Sequence, residues 1–305
     1  MDTKVSHSAA ELPQFALLSC SGDEARDFLH AQLTSDIAGL AAGEVRIAGW
    51  CSAKGRLLAT FLVVSQGGEF LLQLPREIAP AVAKRLSMFI LRAKVKLADA
   101  SAAWAQFGLW GGGAAERLAA LGLAVPQEPM RSTQSQGGIV AQVAAQRFLV
   151  LVPAAQRAHL AVIANAPDED AWTLEEIRAG RPQVLLATQD QFVPQMVNLE
   201  RLGAVDFKKG CYPGQEIVAR TQYRGVLKRR MVRARVAASA AAGDELFADD
   251  LPGQASGMVV NAAAAPAGGS ELLAVAQINA LESAQPLRLR SVDGPALELL
   301  PLPYA

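Results

Sequence analysis

Apolar residues fall on one face at helical spacing in "SCSGDEARDFLHAQL" (19–33), where Ala25, Phe28, Leu29 and Leu33 line up. Ser21 with Glu24 three residues later predicts a capping box at the start of that helix. The polar punctuation of "TSDIAGLAAGE" (34–44) predicts a loop. Strands are then expected over "EVRIAGWCS" (44–52), "RLLATFLVV" (56–64) and "EFLLQLP" (69–75), separated by the turns "AKG" and "SQGG". "REIAPAVAKRLSMFILRA" (76–93) returns to helical spacing through Ile78, Val82, Leu86 and Phe89, with Pro80 tolerated in the first turn.

The pattern recurs. "SQGGIVAQVAAQRFLVLVP" (135–153) again reads turn, strand, turn, strand and proline, and the helix-like "AAQRAHLAVIANA" (154–166) follows. A repeated β-β-α unit is expected, with antiparallel hairpins backed by helices, and hence an α+β fold and not a doubly wound parallel sheet. "LWGGGAAERLAALGL" (109–123) lacks G-x-G-x-x-G spacing and predicts a flexible turn before a short helix. A helix over 172–180 leads into "RPQVLLATQDQFVPQMVNLE" (181–200). That loop is apolar for a connector and is expected to pack down, around a pocket or over a core edge. Beyond Lys228 the chain becomes short apolar runs between Gly, Pro and Asp turns, which predicts a small all-β barrel or sandwich. The expected organisation is an α+β region over 1–227, formed of two interleaved subdomains, and a β domain over 228–305.

With 305 residues, 51% of them hydrophobic and 19% charged, the chain has a globular composition. Twenty-nine basic and 29 acidic residues cancel, which argues against a protein devoted to nucleic acid. Three separated cysteines, Cys20, Cys51 and Cys211, fit a reducing compartment better than a disulfide framework. His7, His30 and His159 are scattered, so no metal site is expected. No signal-peptide pattern opens the sequence, and no apolar run is long enough to span a bilayer. A soluble, cytoplasmic protein without a membrane partner is the expectation.

One stretch concentrates chemistry: "KKGCYPGQE" (208–216). Pro213 can serve as a first helical residue, which starts a helix through "GQEIVART". Cys211 then precedes a helix N-terminus, with Lys208 and Lys209 beside it, a setting that favours a thiolate. A small inert hydrophobe in a turn is the competing reading. Gly210 and Gly214 allow close backbone approach. Arg220, Arg224, Lys228, Arg229, Arg230, Arg233 and Arg235 follow with no acid between them, which marks a candidate anion or acidic-partner face.

"KGCYPGQE" (209–216) resembles the K-G-C-[FY]-x-G-Q-E signature of the YgfZ family. "HAQLTSDI" (30–37), "CSAKGRLLA" (51–59), "QFVPQMVNLE" (191–200) and "FKKGCYPGQEIVARTQYRGVLKRRM" (207–231) resemble that family's segments, in its order. The family is related to the T-protein of the glycine cleavage system, a tetrahydrofolate-dependent aminomethyltransferase. The resemblance implies a T-protein-like three-domain ring with a folate-binding-type domain, a ferredoxin-like domain and a C-terminal β-barrel. It implies service to the assembly or maintenance of iron–sulfur enzymes, including those that thiolate tRNA. Implied partners are iron–sulfur enzymes or cluster carriers and a small-molecule folate; apart from the resemblance, the neutral charge and lack of aromatic interleaving argue against direct nucleic-acid contact. Under the resemblance the site is Cys211, Lys209, Glu216 and Arg220. Lys208, Gly210, Tyr212, Gly214 and Gln215 complete the motif, and Arg178, Gln195, Asn198 and Arg229 are set for tetrahydrofolate.

Two departures from the T-protein matter. Its catalytic aspartate has no counterpart in "KGRLLATFLVV", where Ala59 and Thr60 stand, so a classical transferase loses its proton-handling partner. Its pterin-binding glutamate is replaced by Arg178 of "IRAG", which offers donors where an acceptor is needed. An iron–sulfur maintenance factor is therefore expected ahead of a one-carbon transferase. A non-catalytic module that docks through the basic face is a third expectation, and direct RNA binding a weaker fourth.

Overall fold

A computed structural model describes residues 7–162, 169–248, 253–283 and 285–304. The chain divides into two compact units, one of residues 1–30, 36–47 and 61–172, the other of 31–35, 48–60 and 173–305.

The first unit is built on two antiparallel sheets. One has the order His7–Glu11, Trp104–Gly111, Arg147–Pro153, Gly138–Ala144, Arg131–Ser135. The other has the order Val45–Cys51, Leu57–Gln66, Glu69–Pro75, Phe15–Ser21, Lys96–Asp99. Within it, residues 48–51 and 57–60 are grouped with the second unit. Alternation along Arg147–Pro153 divides the core. Phe148, Val150 and Val152 cluster with Ala114, Leu118 and Leu160 of the helices on one side. Leu149 and Leu151 cluster with Leu17, Val64 and Leu71 of the other sheet. Trp172 joins that second cluster, and Gly108 makes room for it, because a Cβ there would enter the indole ring.

The repeated unit is visible in the backbone. Each hairpin ends at a proline in extended conformation, Pro75 at ψ 132° and Pro153 at ψ 139°. A single 3-10 turn follows, Arg76–Ile78 or Ala154–Gln156, and then a helix, Ala79–Ser87 or Arg157–Ala161. Two sequence expectations change. Ser21 is the last residue of a strand paired with Lys96, and the Glu24 carboxylate accepts from the Lys94 N–H, so the expected capping box gives way to a cross-chain contact. The helix expected over 76–93 begins at Ala79 and stops at Ser87, whose hydroxyl donates back to the Ala83 carbonyl. Met88, Phe89 and Leu91 beyond it are exposed, so nothing continues the apolar face.

In the second unit, six antiparallel strands run in the order Arg288–Leu289, Glu245–Phe247, Gly257–Ala264, Ser270–Gln277, Arg229–Val236, Leu297–Leu300. An isolated bridge between Arg288 and Ala296 brings the two ends of that order together. Ala234, Val236, Leu246, Val259, Leu272, Ala274 and Leu289 fill its interior. Among the described residues, no helix is long and apolar enough to cross a membrane.

Burial pushes the thiols of Cys20 and Cys51 from 9.0 up to about 12, with Glu69 adding to the effect at Cys20. The folded chain therefore holds two protons that the unfolded chain releases near pH 9. Stability is full below pH 9 and is lost as pH rises toward 12, by about 1.4 kcal/mol per pH unit for each thiol. Denaturant midpoints measured between pH 8 and 11 are expected to fall with this slope, and less steeply in Cys51→Ala. An unchanged slope in the Cys20→Ala/Cys51→Ala double variant would contradict the assignment.

Candidate functional site

The second unit collects the segments that carry the family resemblance. Residues 31–35 and 48–60, made early in the chain, join 173–231 there. Thr34 ties them: its hydroxyl donates to the Ala204 carbonyl at 2.6 Å and accepts from the Gly49 N–H at 2.8 Å. Its own carbonyl accepts from the Asp206 N–H at 2.9 Å. Asp206 in turn receives the backbone N–H groups of Lys208 and Lys209 on one carboxylate oxygen, at 2.7 and 3.2 Å, a local turn that opens the motif.

Lys209 is held on three sides. Its ammonium donates to the carbonyls of Leu33 and Ser35, at 2.6 and 3.0 Å, and lies 5.2 Å from the centre of the Tyr212 ring. Tyr212 is buried, and desolvation, with charge on Cys51 and Asp206, pushes its phenol well above its ordinary range. Two anchors on either side thus fix the backbone of Cys211, whose side chain is exposed. Cys20 and Cys51 are both buried, so Cys211 is the accessible thiol.

The helix after the motif runs from Gln215 to Tyr223, and Gly214 caps it in the left-handed region at φ 80°. Pro213 is therefore in the preceding turn, not the first helical residue, and Cys211 lies four positions before Gln215. Packing explains the shift. A Cβ on Gly214 would enter the Ser52 carbonyl oxygen and come within 2.6 Å of the Gly55 Cα. Gly55, itself at φ 69°, would place a Cβ 2.8 Å from the Cβ of Ile217. The glycines of "AKG" and "PGQE" are thus each other's clearance. The Ser52 hydroxyl donates to Asp190 at 2.8 Å, and the Leu57 N–H to the Phe192 carbonyl at 2.8 Å, which fastens the same turn to the 181–200 loop.

That loop packs down, with Phe192, Val197 and Leu199 buried. Gln195 is buried and donates to the Val218 carbonyl at 2.7 Å, bracing the helix of the motif. Asn198 takes φ 58°, donates to the Met231 carbonyl and accepts from Arg230. Arg230 also reaches the Gln195 carbonyl and the Glu200 carboxylate. Arg178 is bound by Glu271 at 2.9 Å and Glu175 at 3.2 Å, and the Glu271 hydrogen bond above all raises its pKa further. Arg178, Gln195 and Asn198 are thus each engaged within the protein, while the Gln195 side-chain oxygen keeps no partner among the described residues.

Glu216, Arg220 and Arg229 are exposed, as are Lys208 and Gly210. Glu216 and Arg220 line a shallow groove along one helix face with Ala219, Tyr223 and Arg224. Thr60, where the T-protein resemblance would require a carboxylate, is buried and accepts from the Val184 N–H. Among the described residues, no group of three or more His, Cys, Asp and Glu is placed to hold a metal. Asp206 and Glu200 escaped the sequence reading, because single acids in loops carry no periodic signal.

No family model matches the chain. It is 31% identical over 299 residues to the tRNA-modifying protein YgfZ of Edwardsiella ictaluri, covering 94% of this chain and 89% of that one. It is 30% identical over 302 residues to the protein of the same name from Klebsiella pneumoniae, covering 96% and 92%. A Vibrio vulnificus protein of that name is 32% identical over 225 residues, covering 73% and 68%. Among solved structures, aminomethyltransferase T of the glycine cleavage system from Bartonella henselae superposes with a TM-score of 0.82. It is 17% identical and the match covers 99% of this chain and 87% of that one, a likeness of fold.

Proposed function

The chain belongs to the YgfZ family, and from that premise we propose that it serves the assembly or maintenance of iron–sulfur enzymes, and through them tRNA modification. Cys211 is the side chain that does the work in this reading. The observation that carries it is selective exposure: one accessible thiol on a backbone pinned by Lys209, Asp206 and Gly214, against two sealed thiols. A thiol so placed can meet a cluster, a persulfide or a partner's sulfur acceptor while its neighbours hold still. Lys209 positions the turn through the Leu33 and Ser35 carbonyls. Lys208, exposed three positions before the thiol, adds positive charge to the same turn.

Complementation tests this directly. In a strain lacking its own copy, the wild-type chain is expected to restore iron–sulfur-dependent tRNA thiolation, and Cys211→Ala to restore a small fraction of it. Full restoration by Cys211→Ala would end the reading.

A tetrahydrofolate-dependent one-carbon transferase is the second reading, favoured by the fold shared with aminomethyltransferase T. Ala59 and Thr60 weigh against turnover, since neither can carry a proton as a carboxylate does. Calorimetry with tetrahydrofolate followed by an aminomethyl-transfer assay separates the two, and turnover would replace the first reading with the second.

A further inference from the structure

The helix Gln215–Tyr223 buries Val218 and leaves its opposite side in solvent. Glu216, Ala219, Arg220, Tyr223 and Arg224 form a continuous stripe there, at the i, i+3, i+4, i+7 and i+8 positions of one face. The chain then runs without regular structure through Gly225–Lys228 to the strand at Arg229. Arg220, Arg224, Lys228 and Arg229 are all exposed, and none makes a side-chain hydrogen bond or ion pair among the described residues. The next arginines along the chain behave otherwise. Arg230 is bound to Glu200 and Arg235 to Glu298, while Arg233 donates to the Arg178 carbonyl. No acid occurs between Glu216 and Asp244 to neutralise the four free cations.

Apolar groups are exposed among them. Tyr223 is 69% and Val226 87% exposed, and Ile217 is also in solvent. The Tyr223 ring is propped edge-on against Phe207 at 6.0 Å, so it stands on the surface at reduced entropy cost. A rigid tyrosine flanked by arginines is the composition of an interface anchor. We propose that this face, from Glu216 to Arg229, docks an acidic protein surface with an apolar centre. Phosphates could pair with the cations, but they would leave Ile217 and Val226 in water, and a single propped ring is no stacking platform for successive bases. Zero net charge also gives the chain no general field for nucleic acid. The face shares Glu216 and Arg220 with the residues the family resemblance assigns to the Cys211 site, but the variants below change only Tyr223, Arg224, Val226 and Lys228, so failure of the docking proposal is distinguishable from failure of the Cys211 reading.

The test uses the full chain and three labelled probes: a sixteen-residue peptide alternating Glu and Leu, one alternating Glu and Ser, and a sixteen-nucleotide oligouridine. Fluorescence anisotropy is expected to show the Glu/Leu peptide bound most tightly, with affinity falling as salt rises. Arg224→Glu/Lys228→Glu should weaken it about tenfold or more. Tyr223→Ala/Val226→Ser keeps the charges and should remove the advantage of the Glu/Leu over the Glu/Ser peptide. Thermal melts establish that each variant is folded, and the salt titration of the wild type supplies a readout that needs no variant. Absence of peptide binding, equal or tighter binding of the oligouridine, or indifference to both double variants would overturn the proposal.

Discussion

Gly214→Ala is expected to lower stability by about 3 kcal/mol, the sum of a left-handed backbone carrying a Cβ and a clash that only backbone movement can relieve. The φ of 80° accounts for roughly 1–2 kcal/mol of this. The rest comes from the Ser52 carbonyl and the Gly55 Cα, which are backbone atoms and cannot rotate away as a side chain would. Gly203→Ala is the control. It has φ 67° with nothing within 4 Å, so it carries the dihedral cost alone, about 1 kcal/mol. Thermal and denaturant unfolding of the pair isolates the contact between the two glycine turns. Gly214→Ala should also impair complementation with Cys211 still present, because the turn that displays the thiol must move. Equal melting of the two variants would remove the clearance argument.

Replacing Arg230 with Met is expected to cost about 2 kcal/mol, less than the loss for a fully buried ion pair because this pair is half-buried, with the Arg230 side chain 26% exposed. The Glu200 side chain is 13% exposed, and one of its carboxylate oxygens is buried without a hydrogen-bond partner already. Arg230 also satisfies the Gln195 carbonyl and the Asn198 side-chain oxygen, so three acceptors lose a donor at once. Glu200→Gln keeps an acceptor without the stranded charge and should cost less. Arg230→Met/Glu200→Met should recover part of the loss. Denaturant midpoints across this cycle measure the coupling, and additive losses would show that the pair does not act as a unit.

Much of this organisation is legible in the residues. The hairpin–proline–helix repeat follows from period-two strands and from prolines that cannot extend them, and Pro75 and Pro153 stand where the pattern puts them. The C-terminal strands follow from short alternating runs between turns, and "KGCYPGQE" identifies the family. Other features lie beyond local pattern. Neither "AKG" nor "PGQE" shows by itself that the other fills its space. Arg178 reads as a free donor in sequence because Glu271, 93 positions away, is invisible to any window. The end of the helix at Ser87 depends on what the next turn would bury, which is a tertiary quantity. Arg220 and Arg230 look equivalent along the chain, yet Arg230 is held by Glu200 and Arg220 has no such partner among the described residues.

The tie between Thr34 and Ala204 has a consequence for synthesis on the ribosome. Residues 31–35 and 48–60 leave the ribosome early, yet the partners of Thr34, Leu57, Leu33 and Ser35 are Ala204, Phe192 and Lys209. With contacts 170 and 176 positions apart, these segments wait on the order of ten seconds of translation for their counterparts. The first unit has all its residues by position 172, and the early segments already pair with one another through the Leu33–Trp50 bridge and the Gly49–Thr34 hydrogen bond, but their partners at 192–209 come later. The motif that defines the family is also the segment that lets them close. A nascent chain stalled before Lys209 should therefore stay protease-sensitive around Leu33, and release past the motif should protect it.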